Sequence, residues 1–182
     1  GNRFYTHFGG HFCEYDPAAR AFTFVTNTAP QMAMNIIEDE NGVIWSVTYP
    51  QSGLVSFDPK TRAFKDYGQL YKQNWAQYPR AIATDDTGWL YFGVGSTASQ
   101  IIALNPETGE ATPILAEEER VQAYPTVYRD ENGKVYAMAG PDKTDAWIEL
   151  YQGTATKIGT LAERKPKKYI ADSQSLFHRS FP

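Results

Sequence analysis

Cysteine is almost missing from this sequence. Cys13 stands alone, so no intrachain disulfide can form and every zinc arrangement built on paired thiolates is excluded. Set between Phe12 and Glu14, with no cationic neighbour in sequence, it reads as a small hydrophobe within a strand. Long apolar runs are missing too: no stretch of about eighteen apolar residues offers a membrane span, and no basic-then-apolar leader opens the chain. Nor does one sign of charge dominate. Seventeen Lys and Arg against twenty-one Asp and Glu leave a formal charge of -4, which gives neither nucleic acid nor an anionic membrane an electrostatic footprint. No nucleophile elbow, phosphate loop, dinucleotide glycine fingerprint or His-Glu-x-x-His pattern occurs, so nucleotide chemistry is disfavoured. None of these absences fixes a compartment; an extracytoplasmic one is preferred.

What the chain does have is turns and rings. Its 182 residues suffice for one domain. Fourteen glycines, eleven prolines and a 14% aromatic share lean toward β structure. Three acidic turns recur, each leading into a strand. Asp39-Glu40-Asn41-Gly42 precedes Val43-Ile44-Trp45, Asp85-Asp86-Thr87-Gly88 precedes Trp89-Leu90-Tyr91, and Asp130-Glu131-Asn132-Gly133 precedes Lys134-Val135-Tyr136. The three glycines are 46 and 45 residues apart. A second marker runs in phase: Phe57-Asp58-Pro59-Lys60-Thr61 matches Leu104-Asn105-Pro106-Glu107-Thr108, and Tyr15-Asp16-Pro17 precedes both. Asn-Gly and Thr-Gly tolerate the positive φ of tight hairpins, and Asp-Pro-x-Thr sets a type I turn. Between the turns lie short runs without helical period, such as 54–57 and 101–104, so each unit holds four strands, A to D.

Four antiparallel strands repeating about every 45 residues is the pattern of a β-propeller blade. The predicted fold is therefore all-β: a propeller segment spanning residues 1–182, with three fuller blades at roughly 31–70, 79–116 and 124–160 and a partial blade at each end. The first blade begins at strand B. The tail, Tyr169-Ile170-Ala171-Asp172 and Leu176-Phe177-His178-Arg179, reads as strands A and B of another, with His178 at a packing position. A closed ring of six to eight such blades needs about 270 to 360 residues. A fragment of a longer propeller is the preferred reading. Four-bladed closure and assembly with another copy stay open.

The cadence Asp-x-x-Gly-x-hydrophobic-Tyr/Trp followed by hydrophobic-Asp-Pro-x-Thr resembles the propeller superfamily of streptogramin lyases, NHL-repeat proteins and senescence-marker-protein-30-like lactonases. The likeness covers roughly residues 3–159. It implies the fold and leaves the activity open, since members range from lyases to binding platforms, and it carries over no active site.

In a blade running A to D outward, the A–B and C–D turns share one face, and the B–C and D–A connections share the other. The first set is stereotyped. The second varies, and variable loops on a rigid scaffold are where sites form. Residues 69–80 hold Tyr71, Trp75, Tyr78 and Arg80, flat rings beside a cation able to stack a sugar, with Tyr124 in the equivalent connection; the alternative is that Trp75 and Tyr78 cap the gap between blades. His7 and His11 flank Phe8-Gly9-Gly10, a B–C turn expected to bring two imidazoles together as a general base or, with a third ligand such as Gln31 or Gln51, a divalent metal site. Surface or edge-strand histidines bonded to backbone are the competing reading. No other cofactor is expected. The acidic run 117–120 reads as solvated surface, and the basic run 164–168 as a D–A spacer on the variable face.

Three functions follow. The first is a binding module for a carbohydrate-like ligand, or for a protein partner on the loop face. The second is a lyase or hydrolase acting on a polysaccharide or lactone, with His7 or His11 as base, Tyr49 or Tyr78 as proton donor and Arg80 neutralising a carboxylate. The third is a scaffold whose open blade edge docks a neighbour.

Overall fold

The computed structural model describes residues 2–29, 32–140, 146–161 and 163–167. Within them the chain forms fifteen strands, and the one helical element among the described residues is a short 3-10 turn at Glu117–Glu119. The strands make four consecutive antiparallel sheets. The first holds β1 (Phe4–Phe8), β2 (His11–Asp16) and β3 (Ala21–Asn27). The second holds β4 (Met32–Glu38), β5 (Ile44–Tyr49), β6 (Gly53–Phe57) and β7 (Phe64–Gln69). The third holds β8 (Tyr78–Thr84), β9 (Leu90–Gly95), β10 (Gln100–Leu104) and β11 (Ala111–Pro113). The fourth holds β12 (Thr126–Arg129), β13 (Val135–Met138), β14 (Trp147–Tyr151) and β15 (Thr154–Gly159). Strands pair in sequence order within each sheet, and β4, β8 and β12 contact one another from sheet to sheet. This is a partial β-propeller of about four blades.

Alternation along each strand sends successive side chains to opposite neighbours. In β5, Ile44 joins Phe12, Ile36, Val55 and Phe57 between the first and second blades, while Trp45 and Val47 join Ile82, Leu90 and Phe92 between the second and third. Tyr91, Ile101, Val135 and Leu150 fill the gap between the third and fourth. With both faces covered, β6, β9 and β10 are buried throughout.

The acidic turns work through their side chains. Asp39 accepts the amides of Asn41 and Val43 on one oxygen and donation from Trp45 Nε1 at 2.8 Å on the other. Asp85 repeats this with Thr87 and Trp89, and its second oxygen accepts the Tyr91 hydroxyl at 2.9 Å and the Gln152 amide of the fourth blade at 2.8 Å. One aspartate thus closes its hairpin, fixes a buried ring on the following strand and ties the third blade to the fourth. In the third copy Asp130 accepts the Asn132 amide on one oxygen and the Lys165 amide on the other, and Asn132 Nδ2 donates to the Tyr136 hydroxyl.

Backbone bonds between connections separate the two faces. Leu70 and Gln77 amides donate to Ser52 and Pro50, and the Ser99 amide to Val121, which ties each D–A connection to its own B–C turn. On the opposite face the Asp86 amide donates to Gly133, joining two A–B turns. There the buried Arg129 guanidinium donates to the Thr84 carbonyl at 2.7 Å and to Glu40 at 2.9 Å, linking three blades near their inner strands. The basic run corrects an expectation: Glu131 donates to the Lys165 carbonyl and Lys167 to that of Arg129, and Lys167 pairs with Glu40. Its described part lies against the inner strand at the turn face, because the chain crosses back beside β12 after β15. The strands read at 169–172 and 176–179, His178 and Gln31 lie outside the described residues.

Candidate functional site

Four of the residues singled out from sequence meet on the loop face. Tyr49 ends β5, Tyr78 opens β8, and their rings lie 4.8 Å apart between centroids. Tyr124, just before β12, stands edge-on to Tyr78 at 6.3 Å. Arg80 bridges them, its guanidinium carbon 4.1 Å from the Tyr124 ring centre and 5.8 Å from that of Tyr78. Three blades therefore contribute to one patch beside the inner strands.

The backbone explains the meeting. Pairing of β8 with β9 shifts register between Pro79 and Ala81, so Arg80 is the extra residue of a β-bulge, a device that re-aims a side chain. The freed Arg80 carbonyl accepts Asn35 Nδ2 at 2.9 Å from the neighbouring inner strand. Tyr124 approaches because Gly95 has no side chain: a Cβ there would lie 2.7 Å from Tyr124 Cδ1 and 2.6 Å from the Ala123 carbonyl oxygen. Tyr124 is 37% exposed, and Arg80 is exposed as well. The Tyr49 hydroxyl, hydrogen-bonded to that of Tyr78, holds the Tyr78 phenol above its ordinary value, so at neutral pH Tyr78 presents a hydroxyl. Asn35 escaped the sequence reading, and so did the role of Gly95. A glycine inside an apolar strand marks close backbone approach, which was the available signal for the second.

Tyr71 and Trp75 sit elsewhere. Both pack against the cluster between the second and third blades, with the Arg120 guanidinium 5.9 Å from the Tyr71 ring centre. Beside the platform, Ser52 Oγ and Gln77 Oε1 are buried without a hydrogen-bond partner among the described residues. They belong to the turn and the connection that carry Tyr49 and Tyr78.

The histidines are not brought together. Across the Gly9-Gly10 turn His7 pairs with Phe12 and Phe8 with His11, which puts the two imidazoles on opposite faces of the sheet. His7 is 3% exposed, with Nδ1 2.9 Å from Ser46 Oγ and Nε2 2.9 Å from Thr28 Oγ1. Burial drives its pKa down to about 4, against a smaller upward pull from Asp66. A neutral imidazole held by two hydroxyls is a core polar link. His11 is exposed, its Nδ1 3.0 Å from the Gly9 carbonyl oxygen. Among the described residues no group of three or more His, Cys, Asp or Glu could hold a metal ion. Burial also raises the Cys13 thiol.

No protein-family profile and no curated protein matches the sequence. Solved structures do match in fold. The chain is similar to the extracellular domain of a hybrid two-component system from B. thetaiotaomicron, at TM-score 0.54 and 19% identity over 91% of this chain and 25% of that one. It is also similar to the extracellular domain of a one-component system from the same organism, at 0.52 and 15% over 91% and 23%. YCF48 bound to a D1 peptide matches at 0.50 and 13% over 82% and 50%. The chain spans about a quarter to a half of the length of these proteins.

Proposed function

We propose that the chain is a propeller binding module whose loop face takes a carbohydrate-like ligand on the Tyr49, Tyr78, Arg80 and Tyr124 platform. The observation that carries this reading is the convergence of three rings and one guanidinium from three blades onto a single patch, half-buried at Tyr49 and Tyr78 and exposed at Arg80 and Tyr124, held there by a bulge and a glycine. Ring faces suit the C–H surfaces of a sugar, and phenol and guanidinium N–H and O–H groups suit its oxygens. The lyase or hydrolase alternative has less support, because its base was to be His7 or His11 and neither joins the patch. The acidic-turn cadence supports the streptogramin-lyase and NHL-like propeller superfamily. Fold likeness to extracellular domains supports an extracytoplasmic setting.

The test is a glycan array probed with the wild-type chain and three variants. Tyr78→Ala and Tyr124→Ala are expected to weaken every positive signal by about tenfold or more, as loss of a central aromatic contact does. Trp75→Ala, which strips a half-buried ring from the edge of the core between the second and third blades, is expected to lower the melting temperature while leaving affinity within about twofold. Signals that survive both tyrosine substitutions would place the ligand elsewhere.

A further inference from the structure

The platform carries a charge that the fold itself does not use. Four other arginines are committed: Arg3 pairs with Asp16, Arg62 with Glu14 and Arg129 with Glu40, and Arg120 donates to the carbonyls of Ala98 and Ser99. Arg80 has no carboxylate or carbonyl on its guanidinium among the described residues. Its side-chain neighbours are the Tyr124 and Tyr78 rings. A ring face attracts the cation without occupying its five in-plane donors. The bulge and the Asn35 bond to its carbonyl fix the backbone beneath it, so less ordering entropy is lost when those donors engage a ligand. The group that matches a guanidinium fork is a carboxylate, bound through two parallel bonds.

Resting on the reading of the loop face as a carbohydrate site, we propose that its ligand is an acidic sugar, with Arg80 gripping the uronate carboxylate while Tyr78 and Tyr124 hold the sugar ring. An acidic peptide offers the same carboxylate without the stiff ring that lies against tyrosine. Neutral sugars leave the guanidinium unanswered.

Calorimetric titration of trimers of galacturonate, glucuronate and mannuronate, their methyl esters and hexa-aspartate separates these cases. At least one uronate trimer binds, its methyl ester binds about tenfold or more weakly, and hexa-aspartate does not compete. Arg80→Gln brings acid and ester within about twofold of each other. Arg80→Lys retains part of the preference, since an ammonium keeps the charge and loses the fork. Rising salt weakens the acid and leaves the ester unchanged. Arg80 is exposed and loses only ring contacts, so these variants fold and keep a melting temperature within about 4 °C of the wild type. If the ester binds as tightly as the acid and Tyr78→Ala abolishes both, the carboxylate proposal falls and the platform stands. Hexa-aspartate binding that depends on Arg80 overturns the sugar assignment. If no uronate binds while array glycans still depend on Tyr78, the proposal falls alone; if no glycan depends on Tyr78, the reading beneath it falls as well.

Discussion

Truncation of Phe12 to alanine is expected to cost about 3–5 kcal/mol of folding stability, the range for emptying a large aromatic site in a packed core. Phe12 is fully buried. Its ring meets those of Tyr5, Phe24, Phe57 and Phe64 at centroid distances of 6.3, 6.4, 5.7 and 5.6 Å, drawn from both the first and second blades. Neighbours on two rigid sheets cannot close on the space left behind, so little of the loss is recovered. Equilibrium urea unfolding at constant slope measures it. A loss below about 1 kcal/mol would mean that the first blade is not packed on the second as described.

Acidification should show a second large effect through His7. Its folded-state pKa of about 4 lies below the ordinary value of 6.5, so the unfolded chain binds the proton more readily. Above pH 6.5 the imidazole is neutral in both states and costs nothing. As pH falls below 6.5 the unfolded state gains, and stability declines by about 2 kcal/mol between pH 7 and 5 and by about 3 by pH 4. Carboxylates enter lower down. Glu14, which burial alone would raise, is held low by hydrogen bonds from Thr23, Arg62 and Tyr5, and its stabilisation is present above the ordinary carboxylate value and lost as pH falls below it. The interval from pH 7 to 5 therefore isolates the imidazole. His7→Gln should flatten the urea midpoint across that interval; a variant that still declines like the wild type would assign the loss to another group.

Much of the fold was legible because the turns carry their own chemistry. Asp39, Asp85 and the following glycines bond to their hairpins through side chain and positive φ, which only a few residue types allow, so those residue types recur in phase. Strand limits were less visible. β5, β6, β9 and β10 are covered on both faces, and a strand apolar on both sides shows little alternation from which to read where it stops. The histidine pairing was wrong for a reason the sequence does contain: a two-residue Gly9-Gly10 turn sets His7 opposite Phe12, and parity then sends His11 to the other side. Arg80 was named without its mechanism. Nothing in Tyr78-Pro79-Arg80 announces a bulge, and the approach of Tyr124 depends on how the third and fourth blades pack, which local pattern does not encode.

The account rests on the loop face being the working side. Amide chemical shifts of the nitrogen-15-labelled chain, followed during titration with whichever glycan the array returns, test that directly. Perturbations centred on Tyr49, Tyr78, Arg80 and Tyr124 are the predicted result. Perturbations centred on the acidic turns around Gly42, Gly88 and Gly133, with the tyrosines silent, would contradict it.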